Sequence, residues 1–166
     1  MGQKIKLREA WMEKERKIKI MIVEDDEILA REIKGFLEKW GYAAESTDCF
    51  DAVMEAFDRI RPQLLLLDIN LPYYDGYYWC RKIREYAQTP IIFISSREDD
   101  RDKIMAMAQG GDDYLEKPFL LELLKAKIEA VLRRTYQYKV QERIRLREDL
   151  YFDRDTACLL YKDKVV

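Results

Sequence analysis

The chain contains no histidine. That excludes Ser-His-Asp and Cys-His catalysis and removes the side chain that most often acts as a general base near neutral pH. Cysteine is sparse as well. Cys49, Cys80 and Cys158 are odd in number and far apart, which suits neither a zinc set nor a disulfide framework and leaves them as free thiols. No apolar run approaches the roughly 18 to 20 residues of a membrane span, and the opening MGQKIKLREAWMEKERK lacks the apolar centre of a signal peptide. Membrane insertion is therefore not expected, and a cytoplasmic location is. Basic charge is scarce in the middle: residues 20–132 carry 14 basic and 23 acidic side chains, against 7 and 3 in residues 1–19 and 6 and 1 in residues 133–147. A centre with that acidic excess suits a metal cation or a basic partner better than nucleic acid. What is left for chemistry is carboxylate.

What is present is a regular alternation of short apolar runs and longer amphipathic segments, the pattern of βαβ units around a parallel sheet. Strands are predicted at Lys19–Val23, Ala43–Ser46, Leu64–Asp68, Ile91–Ser95 and Asp113–Leu115. Helices are predicted at Asp26–Trp40, Asp51–Ile60, Gly76–Tyr86, Asp99–Gln109 and Leu120–Arg134, with Gly41, Pro62, Pro90 and Gly110-Gly111 between elements. Leu64–Leu67 and Ile91–Ile94 are apolar at every position, as central parallel strands covered on both faces require. The expected fold class is α/β, a flavodoxin-like (βα)5 domain with a five-stranded parallel sheet of order 2-1-3-4-5, followed by a C-terminal β fragment. The expected organisation is an N-terminal extension over 1–17 with no assigned function, a domain over 18–134, a charged helical continuation or linker over 135–148, and two short antiparallel strands within 149–166.

In that topology Glu24, Asp25 and Asp26 follow the first strand, Asp68 ends the third, Ser95 ends the fourth, and Lys117 follows the fifth. The carboxyl ends of the strands bring them together. Clustered carboxylates repel one another unless a cation holds them, and hard oxygen donors of this kind suit Mg²⁺. The acidic group alone could be a solvated helix start, but a charge straight after four leucines is costly without a partner. A strand-end aspartate beside Mg²⁺ is poised as a nucleophile toward a phosphoryl group, and Ser95 and Lys117 are donors for the new anionic oxygens. The aromatic run Tyr73, Tyr74, Tyr77, Tyr78 and Trp79 exceeds what one helix face buries and is expected to offer a partner surface.

IMIVEDDE, LLLLDINLP, PIIFISSR and DDYLEKPF, in that order and spacing over about residues 18–134, resemble the receiver domain of bacterial two-component response regulators. The resemblance implies that Asp68 is phosphorylated by a sensor histidine kinase. It also implies that Asp25, Asp68 and the Asn70 backbone carbonyl bind Mg²⁺ directly, that Glu24 acts through water, and that the Lys117-Pro118 bond is cis. Tyr114 and the ending LRRTY are similar to the OmpR/PhoB class, whose receiver precedes a winged-helix DNA-binding domain. DLYFDRDTACLLYKDKVV resembles the small sheet that opens that second domain, so 149–166 is expected to be its truncated start. INLPYYDGYYWCRKIR and IIFISSRED resemble regulators of the antimicrobial-peptide (bacitracin-type) response, which implies an indirect link to an ABC transporter module.

The class resemblance also implies a switch in which Tyr114 turns inward as Ser95 moves to the phosphoryl group, and a homodimer through a face carrying Lys103, Asp112, Asp113 and Lys127. Where the class usually has a glutamate opposite position 103, this chain has Leu123, with Glu122 beside it. The expected function is control of transcription at promoter DNA through a domain largely absent here. The alternative is a stand-alone receiver acting by protein contact or as a phosphate sink. A Mg²⁺-dependent phosphatase ranks last, because Asn70 stands where a second acid-base aspartate belongs. No turnover of a separate substrate is expected.

Overall fold

The computed structural model describes residues 4–7, 17–96, 100–141, 143–147, 150–153, 158–161 and 164–165. Five strands, β1 (Lys19–Val23), β2 (Ala43–Ser46), β3 (Leu64–Asp68), β4 (Ile91–Ser95) and β5 (Asp113–Glu116), alternate with α1 (Glu27–Lys39), α2 (Val53–Ile60), α3 (Gly76–Arg84), α4 (Asp100–Ala108) and α5 (Leu121–Gln141). The strands form one parallel sheet in the order β2-β1-β3-β4-β5, the flavodoxin-like order read from the sequence.

Leu64, Leu65, Leu66 and Leu67 on β3, and Ile91, Ile92, Phe93 and Ile94 on β4, are fully buried. Side chains alternate between sheet faces, so an unbroken apolar run is stable only where helices cover both. Burying each one contributes about 1.5–3 kcal/mol. The helices obey local rules. Asp26 caps α1, its carboxylate accepting from the Ile28 and Leu29 N–H groups at 3.0 and 3.1 Å, and Ala30, Ile33 and Leu37 turn one stripe inward. Asp75 caps α3 by accepting from the Tyr78 N–H at 2.9 Å.

Gly76, the first residue of α3, is required by close approach: a Cβ there would stand 2.3 Å from the Asp68 carbonyl oxygen. The start of α3 is thus seated on the backbone of the residue that ends β3. Trp79 and Tyr77 turn into the core, whereas Tyr73 and Tyr74 remain 77% and 46% exposed. The aromatic run expected to face a partner is therefore split, because Trp79 lies with Gly76, Cys80 and Ile83 on the core side of α3 and Tyr77 packs against Phe93.

The chain divides into two compact units, Met1–Ile128 and Glu129–Val166. The second contains the end of α5 and an antiparallel sheet of β6 (Arg143–Arg147), β7 (Leu150–Asp153), β8 (Cys158–Tyr161) and β9 (Lys164–Val165), in that order. Within the charged segment 135–148 the expected helical continuation runs to Gln141, whereas Arg143–Arg147 is a strand paired with β7. Arg-Ile-Arg-Leu-Arg alternates with period two, a strand signal that its charge concealed. Among the described residues of 149–166 there are three strands rather than the two expected.

Candidate functional site

The ladder registers set the site. Val23 pairs with Leu67, Asp68 with Ile94 and Ser95 with Glu116, so the residues at or just past these carboxyl ends lie side by side. Carboxylate oxygens of Glu24, Asp25 and Asp68 all fall within 4.8 Å of one another. Glu24 and Asp68 are buried and Asp25 is exposed. Asp26, adjacent in sequence, is occupied as the α1 cap.

Lys117 enters from the end of β5. Its N–H donates to the Ser95 carbonyl at 2.9 Å, the bond before Pro118 is cis, and its Nζ lies 2.6 Å from Glu24 Oε2 and 3.0 Å from Asp68 Oδ2. One ammonium thus faces two buried carboxylates. Asp68 Oδ1 accepts from the Asn70 N–H at 3.1 Å, and Glu24 Oε1 from the Asp26 N–H, also at 3.1 Å. Asn70 itself is exposed.

Burial pushes the Glu24 carboxyl up to about 7 and the Asp68 charge adds to this, while Lys117 and the Asp26 N–H pull the other way. Burial draws the Lys117 ammonium down, but its bonds to Glu24 and Asp68 outweigh that and leave it above the usual lysine value. The pocket thus lacks positive charge for its three carboxylates. Three carboxylates whose oxygens lie within 4.8 Å of one another, faced by a single ammonium, are hard oxygen donors that fit a divalent cation of the Mg²⁺ type. A cleft of about 400 Å³ opens beside Glu24 and Asp25, between the first turns of α1 and the segment after β2.

Ser95 is fully buried and shares a side-chain hydrogen bond with Tyr114, whose ring packs against the core. Burial raises the Tyr114 hydroxyl and the bond to Ser95 lowers it, with the charges of Asp102 and Glu116 leaving it above the ordinary tyrosine value. The four residues expected on a dimer face are engaged within the chain. Lys103 pairs with Glu116, Asp113 with Lys127 at 3.0 Å, and Asp112 with Arg84 at 3.0 Å. Leu123 stands exposed on α5.

The stripe Tyr77, Cys80, Arg81 and Arg84 escaped the sequence reading, although its i, i+3, i+4, i+7 spacing was visible. Each of the four donates a hydrogen bond to α4 or to the turn after it, and Arg84 also donates to the Ala87 and Thr89 carbonyls before β4.

A five-stranded parallel sheet of this order, with clustered carboxylates at its carboxyl edge facing a lysine just after β5, defines the flavodoxin-like α/β class of domain. Residues 20–129 match the response regulator receiver domain family, and the chain belongs to it. Similar curated proteins include the response regulator protein GraR of Staphylococcus epidermidis, 44% identical over 126 residues, 76% of this chain and 56% of that protein. The transcriptional regulatory protein YxdJ of Bacillus subtilis is 52% identical over 118 residues, 71% of this chain and 52% of that protein. The chain spans about half the length of these relatives. Among solved structures, the N-terminal domain of the nisin resistance regulator NsrR, a lantibiotic response regulator, is 42% identical with a TM-score of 0.66, over 71% of this chain and all of that one. The NsrR match agrees with the resemblance to antimicrobial-peptide response regulators. The described residues include no helix long and apolar enough to cross a membrane.

Proposed function

We propose that the chain is a phosphorylation-controlled switch of a two-component system, with Asp68 as the phosphoacceptor and a sensor histidine kinase as donor. The observation that carries this reading is the convergence of Glu24, Asp25, Asp68 and Lys117 from three strand ends. Asp25, Asp68 and the Asn70 carbonyl would hold Mg²⁺, with Glu24 as an outer acidic group, and the ion would supply positive charge against the repulsion between an incoming phosphoryl group and the carboxylates. An Asp68 carboxylate oxygen attacks phosphorus, the bond to the donor breaks with its electron pair leaving on the donor, and an acyl phosphate remains on Asp68. Lys117 holds the added negative charge, and the Ser95 hydroxyl turns to a phosphoryl oxygen while Tyr114, released from its bond to Ser95, turns inward. The aspartate is consumed and restored in each cycle, and no separate substrate is turned over.

Output runs to a homodimer through the face carrying Lys103, Asp112, Asp113 and Lys127, and from there to promoter DNA through a winged-helix domain whose first sheet is β6–β9. An indirect link to an antimicrobial-peptide transport module, and a cytoplasmic location, are part of this reading; the likeness to the nisin resistance regulator NsrR supports the antimicrobial-peptide context. The test is intact mass after incubation with acetyl phosphate and Mg²⁺. A gain of about 80 Da, one phosphoryl group, is expected in the wild type and none in Asp68→Asn. Labelling that persists in Asp68→Asn overturns the assignment.

A further inference from the structure

Tyr77, Cys80, Arg81 and Arg84 form a polar stripe along α3. The Tyr77 hydroxyl donates to the Asp102 carbonyl in α4 at 3.1 Å. Cys80 Sγ donates to the Gln109 carbonyl at 3.2 Å, and Arg81 Nη1 to Gln109 Oε1 at 3.3 Å. Arg84 is bonded most densely. Its Nε and Nη2 donate to the Gly110 carbonyl at 3.1 and 2.8 Å, Nη2 also to Asp112 Oδ2 at 3.0 Å, and Nη1 to the Thr89 carbonyl at 2.6 Å. Asp112 Oδ2 in turn accepts from the Ile91 N–H at 2.8 Å, which closes this clasp onto the first residue of β4.

The apolar anchorage of α4 is thin. Among its described side chains, those of residues 101–108, only Ala106 is buried, and Ile104, Met105 and Met107 are about half exposed or more. A buried alanine contributes far less than a buried leucine, so the polar stripe carries a large share of the docking. That docking is graded from end to end. A charge-assisted, multiply bonded guanidinium holds the turn after α4, where Gly110 takes a φ of +106° and its Cβ position lies 3.1 Å from the Arg84 side chain. At the first turn the Tyr77 bond is a neutral one. The Lys103–Glu116 pair that also reaches β5 there has both ends at least a third exposed and is weak for that reason.

Tyr77 also touches the candidate phosphoacceptor's surroundings. It follows Gly76, which is seated on the Asp68 backbone, and its ring lies 5.7 Å from that of Phe93, two residues before Ser95. We propose that Tyr77 is a positioning residue, a latch by which the segment after Asp68 holds the first turn of α4, and that the Arg84 clasp is the pivot at the opposite end. Release of the latch on phosphorylation rests on the function proposed above; the restraint in the resting protein does not.

The experiment is hydrogen–deuterium exchange of the full chain, with wild type, Tyr77→Phe and Arg84→Lys compared before and after acetyl phosphate with Mg²⁺. Tyr77→Phe keeps the ring and removes only the hydroxyl. Peptides covering 101–108 exchange about five-fold faster in the resting variant, the scale of one neutral hydrogen bond, while peptides of β3 and β4 are unchanged. Phosphorylation accelerates the same peptides in the wild type and adds little in Tyr77→Phe. Arg84→Lys accelerates 109–112 instead. Unchanged exchange over 101–108 in Tyr77→Phe, or acceleration spread evenly across the sheet, overturns the latch. A phosphorylated wild type with no acceleration overturns its release. A wild type that takes no phosphoryl group refutes the reading of Asp68, and the resting comparison still decides the restraint.

Discussion

Gly76→Ala adds one methyl group at the place where α3 meets the phosphoacceptor strand. The new Cβ meets the Asp68 carbonyl oxygen at 2.3 Å and the Asp68 carbonyl carbon and Ile69 Cα at 3.0 Å. Real Cβ contacts essentially never fall below 3.0 Å, so the structure must give by about 0.7 Å. All three neighbours are backbone atoms, two of them in the residue that ends a fully buried strand, and no side-chain rotation relieves the overlap. Overpacking of this kind costs about 1–3 kcal/mol, and rigid surroundings place it toward the upper end. Alanine's lower backbone entropy loss offsets about 0.5–1 kcal/mol. The net is a loss of about 2 kcal/mol, a fall in melting temperature of roughly 5–10 °C for a domain of this size.

The same shift displaces the nucleophile. A misplacement approaching 1 Å costs on the order of 10²-fold in rate, so labelling of Gly76→Ala by acetyl phosphate should slow about 10- to 100-fold although no side chain of the site is altered. The control is Gly35→Ala on the exposed side of α1, where an added Cβ meets nothing within 4 Å. That variant should gain up to about 1 kcal/mol from helix propensity and label at the wild-type rate. Calorimetry and intact-mass time courses of both variants decide the matter. A Gly76→Ala protein as stable as the wild type and labelled as fast would refute the argument that α3 is seated on the Asp68 backbone.

Lys117→Met leaves Glu24 and Asp68 facing each other without their ammonium; with no metal present at pH 8, urea unfolding should show a loss of about 2–3 kcal/mol, reduced by the partial exposure of Lys117, and millimolar Mg²⁺ should recover part of it. Equal loss with and without Mg²⁺ would mean that the cation does not take over that charge. In metal-free protein the folded state keeps a proton on Glu24 up to about 7 that the unfolded chain releases near 4.5, so this group stabilises the fold at low pH and that stability is lost as pH rises between the two values, by at most about 3 kcal/mol. Melting temperatures in EDTA from pH 4 to 8, wild type against Glu24→Gln, isolate the slope, and a difference of opposite sign refutes it. Asp26→Ala should cost about 1 kcal/mol through loss of the α1 cap with little change in Mg²⁺ affinity, whereas Asp25→Ala should abolish Mg²⁺ binding at little cost in stability. Calorimetric Mg²⁺ titration beside thermal melts separates the two, and interchange of the two phenotypes would overturn their assignments.

The sequence by itself determined the five parallel strands and the site at their carboxyl ends. Leu64–Leu67 and Ile91–Ile94 leave no polar face, which only a sheet covered on both sides tolerates, and right-handed crossovers then limit the strand order. It also singled out Glu24, Asp25, Asp68, Ser95 and Lys117, because each ends or follows a strand whose register is dictated by its apolar run. Adjacent residues with different roles were harder to separate. Asp25 and Asp26 are chemically the same pair of carboxylates, and only the direction of the chain entering α1 makes one a cap and leaves the other beside Glu24 and Asp68. The aromatic run 73–79 read as a partner surface partly taken up by helix packing, without showing that Tyr77 and Trp79 are the buried members, and Arg143–Arg147 read as helical continuation or linker because charge obscured its period of two. Tertiary structure alone decided that Lys117 contacts both buried carboxylates, that Asp112 and Asp113 pair within the chain, and that α3 holds α4 by hydrogen bonds. Periodicity reports which face of an element leaves water, but the partner a polar group finds depends on residues 14 to 49 positions away being brought within 3 Å, and that information exists only once the chain has folded.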